Sequence, residues 1–382
     1  MTRYPLEGIR VVDCTQYVAG PYCTQVLADL GASVVKVERP GVGDVYRRQG
    51  PVFAAGESAS FLTLNRGKRS IELDLGAEDD LARLEGLLAE ADVLVENMRP
   101  GTMAKYGLDY ESVSARHPRL VYCSISGFGH TGPLAREGGY DLTIQAFSGL
   151  MSMTGQPGGP PAKIPIAALD FGSALYGVIG IQAALAQREA TGRGQLVATS
   201  IFECAVAWLA MHVVTLLLGG AEPEPLGTRS PFFAPYEAYR TGDGYIVIVG
   251  TGGSDSWGAL CRALGLERLA DDRRFATNSD RVAHAEALRH ELEAVLTTEP
   301  TAHWIDVFAE AGVVCAPVNR LGDVLASEQV RALRLLRELE HPRAGRVPSI
   351  RLPLTFSAAE STASEAPPLL GADNADVLDV RV

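Results

Sequence analysis

The sequence is poor in the features that mark several large classes of protein. Its six cysteines are scattered along 382 residues, and none of their spacings is that of a metal site or a disulfide framework. Basic residues number 34 against 46 acidic ones, so the formal net charge is -12. Such a chain is unsuited to wrapping DNA or RNA, because the phosphates would be repelled. We therefore expect reduced, mostly buried cysteines, no metal site and no nucleic-acid partner.

Long apolar runs and leader-like segments are also scarce. The most apolar run, 205–218, contains His212 and is too short to cross a bilayer. Residues 1–8 include Arg3 and Glu7 and lack the apolar core of a signal peptide. We expect a cytoplasmic protein with no membrane partner.

The glycine-rich motifs of nucleotide-binding proteins are missing as well. A dinucleotide fold needs Gly-x-Gly-x-x-Gly between its first strand and helix, whereas segment 14–20 holds a single glycine. Gly41 and Gly43 follow a proline and open no helix, and no Walker A sequence is present. A nicotinamide-dependent oxidoreductase is therefore disfavoured.

What the sequence does contain is an alternation of short apolar strands and helices in its first part. This rhythm is typical of βαβ units with a mostly parallel sheet. Near 219–225 the composition changes to Gly, Pro and Glu, and we place a domain boundary there. Strands are predicted at 9–13, 33–38, 69–73, 93–96, 120–126, 195–199, 236–240 and 245–249, and helices at 21–30, 78–90, 171–190 and 201–218.

A cluster of basic residues runs from 36 to 69 and is net +4, because only Glu38, Asp44 and Glu57 oppose it. Arg39 directly follows the predicted second strand, and ligands of open α/β sheets bind beyond the carboxyl ends of strands. The cluster suits phosphate groups, although a solvated basic face is the alternative. Its members are Lys36, Arg39, Arg47, Arg48, Arg66, Lys68 and Arg69.

One carboxylate, Asp170, stands in a strongly apolar stretch, 165–176, where a helix is predicted to begin. It is either an N-cap, a position that favours Asp, or a nucleophile. A helix N-terminus favours its ionised form, whereas burial opposes ionisation. The histidines show no pairing with Ser or Cys, and His130 lies in a glycine-containing loop that is free to approach a site.

Short motifs follow one another in an order that resembles the class III CoA-transferase family, the formyl-CoA transferase and carnitine CoA-transferase group. The resemblance covers about 6–353, and its specificity lies in the joint order of the motifs. They are AGP at 19–21, LADLGA at 27–32, VKVERP at 35–40, GD at 43–44, LNRGKRS at 64–70, VENMRPG at 95–101, SGFG at 126–129, GYD at 139–141, TGRGQ at 191–195 and DG at 243–244.

The resemblance implies that Asp170 is the catalytic residue. Its carboxylate would attack the donor acyl-CoA, giving an aspartyl anhydride and CoA thiolate. The thiolate would return to form an aspartyl-CoA thioester, and the acceptor acid would repeat these steps in reverse. This covalent catalysis needs neither a metal nor a permanently bound cofactor, with coenzyme A esters as substrates and small carboxylic acids as partners.

The family's CoA contacts correspond to a set of positions in this chain. For Asn97 and Arg99 a loop-forming or surface role is the alternative, and Lys105 replaces the usual Arg without its bidentate geometry. Gly250, Gly252 and Gly253 resemble a mobile glycine loop, from which Thr251 and Ser254 depart. The implied contacts are Val18, Ala19, Arg39, Leu73, Asn97, Met98, Arg99, Lys105 and Tyr140.

The resemblance also implies an architecture. We expect a Rossmann-like large domain over 1–220 and a smaller α+β domain over 226–336. A C-terminal segment, 337–382, would return to the large domain. Members of the family form interlocked homodimers with active sites where two subunits meet.

Two other functions were weighed. A 2-methylacyl-CoA racemase of the same fold needs a His beside the Asp. Here the motif reads Gly139-Tyr140-Asp141, and a tyrosine is a poor base at neutral pH. A non-catalytic CoA-ester-binding relative is disfavoured by the presence of Asp170. Gly138 replaces the Lys of the formyl and oxalate enzymes, so small dicarboxylates with succinyl-CoA as donor are expected, with carnitine-type and aromatic acids left open.

Overall fold

The computed structural model describes residues 4–250, 256–361 and 365–378. The chain divides into two compact units, Met1–Met151 with Lys163–Glu222 and Arg331–Val382, and Ser152–Ala162 with Pro223–Val330. The segment Ser152–Ala162 belongs to the second unit, although it falls inside the predicted 1–220 domain. A backbone hydrogen bond from Gly227 N–H to the carbonyl oxygen of Gly155 (2.8 Å) ties the segment there.

The predicted strands and helices of the first part are present, with shifts of a few residues at their ends. The predicted helix 201–218 is two helices, α7 and α8, separated at Leu209. The elements are β1 (Arg10–Cys14), α1 (Ala19–Asp29), β2 (Ser33–Glu38), β3 (Phe53–Ala54), β4 (Glu57–Ser58), α2 (Ala59–Leu64), β5 (Lys68–Glu72), α3 (Glu78–Leu88), β6 (Val93–Glu96), α4 (Tyr110–Arg116), β7 (Val121–Ser126), α5 (Asp141–Phe147), α6 (Ala168–Thr191), β8 (Leu196–Ser200), α7 (Ile201–Trp208) and α8 (Ala210–Leu217).

The second unit is α+β, as predicted, and the C-terminal segment adds a hairpin and a short helix. Strands β11, β10 and β9 form an antiparallel sheet in that order. The elements are β9 (Tyr236–Arg240), β10 (Tyr245–Val249), α9 (Ser256–Ala263), α10 (Asn278–Ala283), α11 (Ala285–Leu296), α12 (Thr301–Ala311), β11 (Val314–Pro317), α13 (Leu321–Ala326), α14 (Glu328–Ala332), β12 (Leu336–His341), β13 (Gly345–Ile350) and α15 (Asn374–Leu378).

The main sheet of the first unit has six strands in the order β5-β2-β1-β6-β7-β8, and every neighbouring pair is parallel. Val12 on β1 is opposite Val35 on β2 and Leu94 on β6. Strand β1 is therefore central, with β2 and β5 on one side of it and β6, β7 and β8 on the other. This is the strand order of a Rossmann fold, which confirms the prediction of a Rossmann-like sheet. The order reverses between β1 and β6, where such folds bind ligands.

Helix α6 is the central helix of this unit. Its length and apolar composition would suffice to cross a membrane, but 56% of its most apolar window is buried. It packs against α1 and β7, and a Cβ at Gly177 would lie 3.2 Å from the Sγ of Cys23 on α1. We therefore describe α6 as a core helix, and its first turn carries Asp170.

Four of the seven residues in the basic cluster at 36–69 form buried ion pairs. For these four both predictions are wrong, because a buried, paired side chain is neither open to phosphate groups nor part of a solvated basic face. Their partners include Asp13 and Asp29, which precede the cluster in the sequence and were absent from the charge count. Only Arg39, Arg48 and Arg69 of the cluster are exposed. The buried pairs are Lys36–Asp44 at 2.9 Å, Lys68–Asp13 at 3.0 Å, Arg47–Glu38 at 2.6 Å and Arg66–Asp29 at 2.5 Å.

The C-terminal segment lies along the open edge of the main sheet. Ser70 N–H on β5 donates to Asp373 Oδ2 (2.8 Å), and Glu72 N–H donates to Asn374 Oδ1 (2.8 Å). The carbonyl oxygen of Pro368 accepts a hydrogen bond from the Arg47 guanidinium (3.1 Å). An edge strand with unpaired N–H groups invites association, so this cover protects β5.

Candidate active site

Two adjoining cavities open at the carboxyl ends of the strands, beside the point where the strand order reverses. The first has a volume of about 320 Å³ and the second about 520 Å³, and Gln16 and Met98 line both. All the predicted site residues of the first unit, Lys105 excepted, line one of them. The first cavity contains Val18, Ala19, Asn97, Met98, Arg99, Tyr140 and Asp170, and the second Arg39, Leu73 and Met98.

Two predicted positions do not line this cleft, and two more cannot be placed. Lys105 is exposed on a 3₁₀ helix, Met103–Tyr106, and is not among the residues that line either cavity. Gly250 directly follows β10 in the second unit, and its N–H donates to the carbonyl oxygen of Pro235 (2.9 Å). Gly252 and Gly253 lie outside the described residues.

Asp170 is the third residue of α6, and Ala167 is the N-cap, so the N-cap interpretation of Asp170 is wrong. The N–H groups at this helix end, which have no partner within the helix, instead donate hydrogen bonds to Asp141 from α5. Asp141 Oδ2 accepts hydrogen bonds from Leu169 N–H (2.8 Å) and Asp170 N–H (3.4 Å). The carboxylate of Asp170 is therefore not engaged in capping its own helix.

The electrostatic environment of Asp170 makes its carboxylate more basic than usual. Burial raises its pKa to about 7, and the nearby negative charge of Asp141 contributes in the same direction. Asp141 is itself held by the fully buried Gln145, which donates from Nε2 to Asp141 Oδ1. Gln145 Oε1 in turn accepts from Ile164 N–H (2.9 Å). A basic, poorly solvated carboxylate with no capping partner is suited to nucleophilic attack.

Asp170→Asn should stabilise the protein above pH 7. An acid whose pKa is raised on folding loses folding free energy as pH rises from its unfolded value to its folded one. Between about 3.9 and about 7 this loss grows to a few kcal/mol, at most about 4. Urea unfolding at several pH values should show the variant more stable at pH 8, with the difference vanishing near pH 4. A variant that is less stable at pH 8 would contradict a buried, ionised Asp170.

Three tyrosines form an aromatic cluster in and beside the first cavity, and we call it the tyrosine cluster (Tyr17, Tyr46 and Tyr140). The Tyr17 ring meets Tyr46 and Tyr140 edge to face, with centroids 5.6 and 5.7 Å apart. A hydrogen bond to the Tyr140 side chain, more than burial, raises the pKa of Tyr17. Burial and then the charge of Asp170 raise the pKa of Tyr46, which places Tyr46 near the nucleophile. The cluster presents rigid rings and hydroxyl groups beside Asp170.

Asn97 holds the loop that follows β1. Its Oδ1 accepts from Gln16 N–H (2.9 Å) and its Nδ2 donates to the carbonyl oxygen of Gln16 (2.8 Å). The loop-forming alternative for Asn97 is thus confirmed, and its role at the site is to fix backbone groups that line both cavities. Gln16 Nε2 also contacts Met98 Sδ at 3.3 Å.

Two glycines bring the loop before α5 against the end of β7. A Cβ on Gly127 would lie 2.6 Å from Gly139 N, and one on Gly139 would lie 2.7 Å from Gly127 Cα. Real Cβ atoms do not approach backbone so closely, so neither position tolerates a side chain without movement. The contact sets the positions of Tyr140 and Asp141, which follow directly.

Gly127→Ala should therefore lower the turnover of the site by roughly 10²-fold, the effect of an ångström-scale misplacement of reacting groups. Steady-state kinetics of the purified variant would measure it. Gly86→Ala in α3 is a matched control, because nothing lies within 4 Å of its added Cβ and alanine favours a helix. Equal activity of the two variants would contradict the importance of this contact.

Several residues of the site were not identified from the sequence. Tyr17 and Gln16 lie in the predicted loop after the first strand, so their position beyond that strand was the available signal. Asp141 belongs to the quoted GYD motif, but its hydrogen bond to α6 spans 28 residues and has no local signal. Tyr46 lies near Asp170 because of how the segment after β2 folds, and no local sequence pattern indicates this position. Within the described ranges, no group of three or more His, Cys, Asp or Glu side chains is placed to hold a metal ion.

Comparisons with known proteins find relatives over nearly the whole chain. The model of CoA-transferase family III matches residues 6–374. The succinyl-CoA:glutarate CoA-transferase of Mus musculus is 38% identical over 374 residues, which cover 98% of this chain and 86% of the relative. The acetyl-CoA:oxalate CoA-transferase of Acetobacter aceti is 40% identical over 333 residues, covering 87% of this chain and 85% of the relative.

A solved structure shares the whole fold. The crystal structure of a CAIB/BAIF family protein from Brucella suis is 40% identical and superimposes with a TM-score of 0.87. The match covers 98% of this chain and 99% of that chain.

Proposed function

The chain belongs to CoA-transferase family III and is a CoA-transferase, and from this premise we propose that it exchanges CoA between short dicarboxylic acids through covalent intermediates on Asp170. Succinyl-CoA is the proposed donor. The observation that carries the proposal is a carboxylate in the first cavity with a pKa raised to about 7, whose capping role has been taken over by Asp141.

The proposed reaction passes through four balanced steps. A carboxylate oxygen of Asp170 bonds to the thioester carbonyl carbon, the C–S bond breaks, and CoA leaves as its thiolate. The thiolate attacks the aspartyl carbonyl of the resulting anhydride, releasing the donor acid and leaving Asp170 as a CoA thioester. The acceptor carboxylate attacks that thioester and expels the thiolate. The thiolate then takes the acceptor acyl group and frees Asp170 as a carboxylate.

The two cavities suit the two ends of a CoA ester. The second cavity has Arg39 at its rim and is proposed to hold the charged nucleotide portion. Gln16 and Met98, shared by both cavities, mark the path of the pantetheine arm toward Asp170. Arg99 and the hydroxyls of Tyr17 and Tyr140 are proposed to receive the acid's carboxylates in the first cavity.

The choice of acids follows from the relatives and from Gly138. Relatives named for glutarate and for oxalate both resemble this chain. Gly138 lines the first cavity where the resemblance expects Lys in formyl and oxalate enzymes, and an added Cβ there would lie 3.5 Å from Arg99 Nε. Without that Lys, we propose that longer dicarboxylates are preferred to oxalate.

A matrix of donor CoA esters and acceptor acids, followed by mass spectrometry of the CoA products, tests the proposed function. Succinyl-CoA with glutarate should give glutaryl-CoA and succinate in equal amounts, and oxalate should be a poor acceptor. Exchange with oxalate alone would overturn the assignment of acids. Absence of exchange with every acid would overturn the proposed function.

We also propose a homodimer, interlocked as in the family, with the glycine loop at Gly250 covering the intermediate. Large apolar side chains on α6, α7 and the end of α8 are exposed in the single chain, including Ile179, Trp208 and Leu218. Such a surface marks an interface. Light scattering should give twice the chain mass at micromolar concentration, and a monomer would contradict the dimer. None of the six cysteines forms a disulfide within the described residues, which supports the proposed cytoplasmic location.

A further inference from the structure

A buried carboxylate at the second cavity is hydrogen-bonded to the tyrosine cluster. Asp44 is 2% exposed and lines the second cavity. Its Oδ1 accepts hydrogen bonds from Tyr46 N–H (3.0 Å) and Tyr17 N–H (3.2 Å). One oxygen atom thus holds the backbone of two members of the tyrosine cluster, which come from separate segments of the chain.

Asp44 is itself held by two neighbours, Lys36 and Glu38. Lys36 Nζ lies 2.9 Å from Asp44 Oδ2, a charge contact rather than an aligned hydrogen bond. Lys36 Nζ also donates to the carbonyl oxygen of Thr15 (2.8 Å), so the same ammonium anchors the start of the loop that carries Tyr17. Asp44 N–H donates to Glu38 Oε2 (2.8 Å). The carboxylate therefore has little freedom to move, and neither have the backbone groups bound to it.

Tyr17 needs such support, because its backbone is in the left-handed region with a φ of 66°. For a residue other than glycine this conformation is strained and persists where surrounding contacts enforce it. The enforcing contacts are the Asp44 hydrogen bond and the ring contacts with Tyr46 and Tyr140. In this conformation Tyr17 forms part of the wall of the first cavity.

We propose that Asp44 is a positioning residue that sets the size of carboxylic acid the first cavity accepts. It does so by fixing Tyr17, which lines that cavity with Asp170, and Tyr46, which packs against Tyr17 from outside the cavity. The proposal rests on the proposed function, since it takes the first cavity as the site of the acids. Asp44 makes no contact with the acid and acts through the two tyrosines. A wall of fixed rings discriminates by size, whereas a mobile one does not.

The test compares kcat/KM for glutarate with that for longer, straight-chain dicarboxylic acids. In the wild type we expect each added methylene beyond the preferred length to lower kcat/KM by about tenfold or more. Asp44→Ala should reduce this discrimination by about tenfold, chiefly through the acceptor KM. The donor KM separates this account from a role of Asp44 in holding CoA, and it should change by less than the acceptor KM.

A double-mutant cycle tests the route of the effect. In a Tyr17→Ala, Tyr46→Ala background, Asp44→Ala should have no further effect on the discrimination, because the wall it positions is gone. If Asp44→Ala does not fold, Asp44→Asn replaces it in both backgrounds, since it keeps the volume and removes the charge.

The matched control is Asp29→Ala, which breaks another buried ion pair, with Arg66, away from both cavities. It should lower thermal stability and leave the discrimination among acids unchanged. The proposal is overturned if Asp44→Ala alters only the donor KM, slows all acceptors equally, or acts as strongly without the two tyrosines. A wild type that uses no acid would instead refute the proposed function before any variant is made.

Discussion

Asp170→Ala should lower the rate of CoA exchange by roughly 10⁴-fold or more, the loss seen when a covalent nucleophile is removed. In the proposed mechanism the carboxylate oxygen of Asp170 bonds to the acyl group, so no neighbouring side chain replaces it. The initial rate of acyl-CoA formation, followed by chromatography, measures the effect. Asp170→Asn should be equally slow in freshly prepared protein, and alanine excludes a return of activity through deamidation.

Asp109→Asn is the matched control for this prediction. Asp109 also stands at a helix start in the same unit, but it is a true N-cap whose side chain accepts from Ser112 N–H. Asparagine caps helices about as well as aspartate. We expect near-wild-type exchange from this variant. An active Asp170→Ala, or an Asp109→Asn as slow as it, would separate the exchange reaction from Asp170.

The second large effect is on the pH dependence of catalysis. Attack requires the ionised form of Asp170, whose pKa is raised to about 7. The kcat/KM of wild type should therefore reach a plateau above pH 7 and fall about tenfold per pH unit below it. The dicarboxylic acids also take up protons as the pH falls. Above about pH 5.5 the decrease in kcat/KM should be larger than their protonation alone would cause.

Asp141→Asn should move this acidic limb to lower pH. It removes the negative charge of Asp141, the lesser cause of the raised pKa, while burial, the greater cause, remains. The midpoint should thus fall below 7 and stay above the ordinary aspartate value of about 3.9. The carboxylate accepts hydrogen bonds on both oxygens, whereas an amide has only one oxygen. The hydrogen bond from either Gln145 or Leu169 is therefore lost, and some loss of stability is expected. A wild-type midpoint near 4, or an unchanged midpoint in the variant, would contradict this assignment.

Asp141 and Asp170 divide two tasks that the sequence assigned to one residue. In the sequence, Asp170 stands where a capping residue is expected and also where the family places its nucleophile. The structure gives the capping of α6 to Asp141, which reaches across from the start of α5. The nucleophile is consequently spared the hydrogen bonds that would lower its basicity. The same arrangement keeps a like charge near Asp170, which raises its pKa further.

The fold could be predicted from the sequence to the extent that local pattern determines it. The six predicted strands from 9–13 to 195–199 all lie in the parallel sheet that the βαβ rhythm indicates. The break at Leu209 and the strand β12 (Leu336–His341) were not predicted. Apolar runs continue across Leu209, and the two leucines of β12, Leu336 and Leu339, are three residues apart, so neither departs from a helical pattern.

The site was predictable where the family motifs mark it, and less so where contacts are long-range. Asn97, Arg99 and Tyr140 lie in quoted motifs, and all three line the first cavity. The buried lysines Lys36 and Lys68 were misjudged, because their partner Asp13 comes from another strand and no local pattern indicates the pairing. Charge counts along a segment do not show which charges the fold will bury together.

The central claim is that Asp170 carries the acyl group and then CoA during exchange. The most direct measurement is to add succinyl-CoA alone, quench in acid, digest with protease and map modified peptides by mass spectrometry, with hydroxylamine or borohydride treatment to mark the ester-like bond. The account predicts a CoA adduct, and a hydroxamate or alcohol after treatment, at Asp170 and at no other aspartate. Exchange at full rate with no modified Asp170, or with the adduct on another residue, would contradict it.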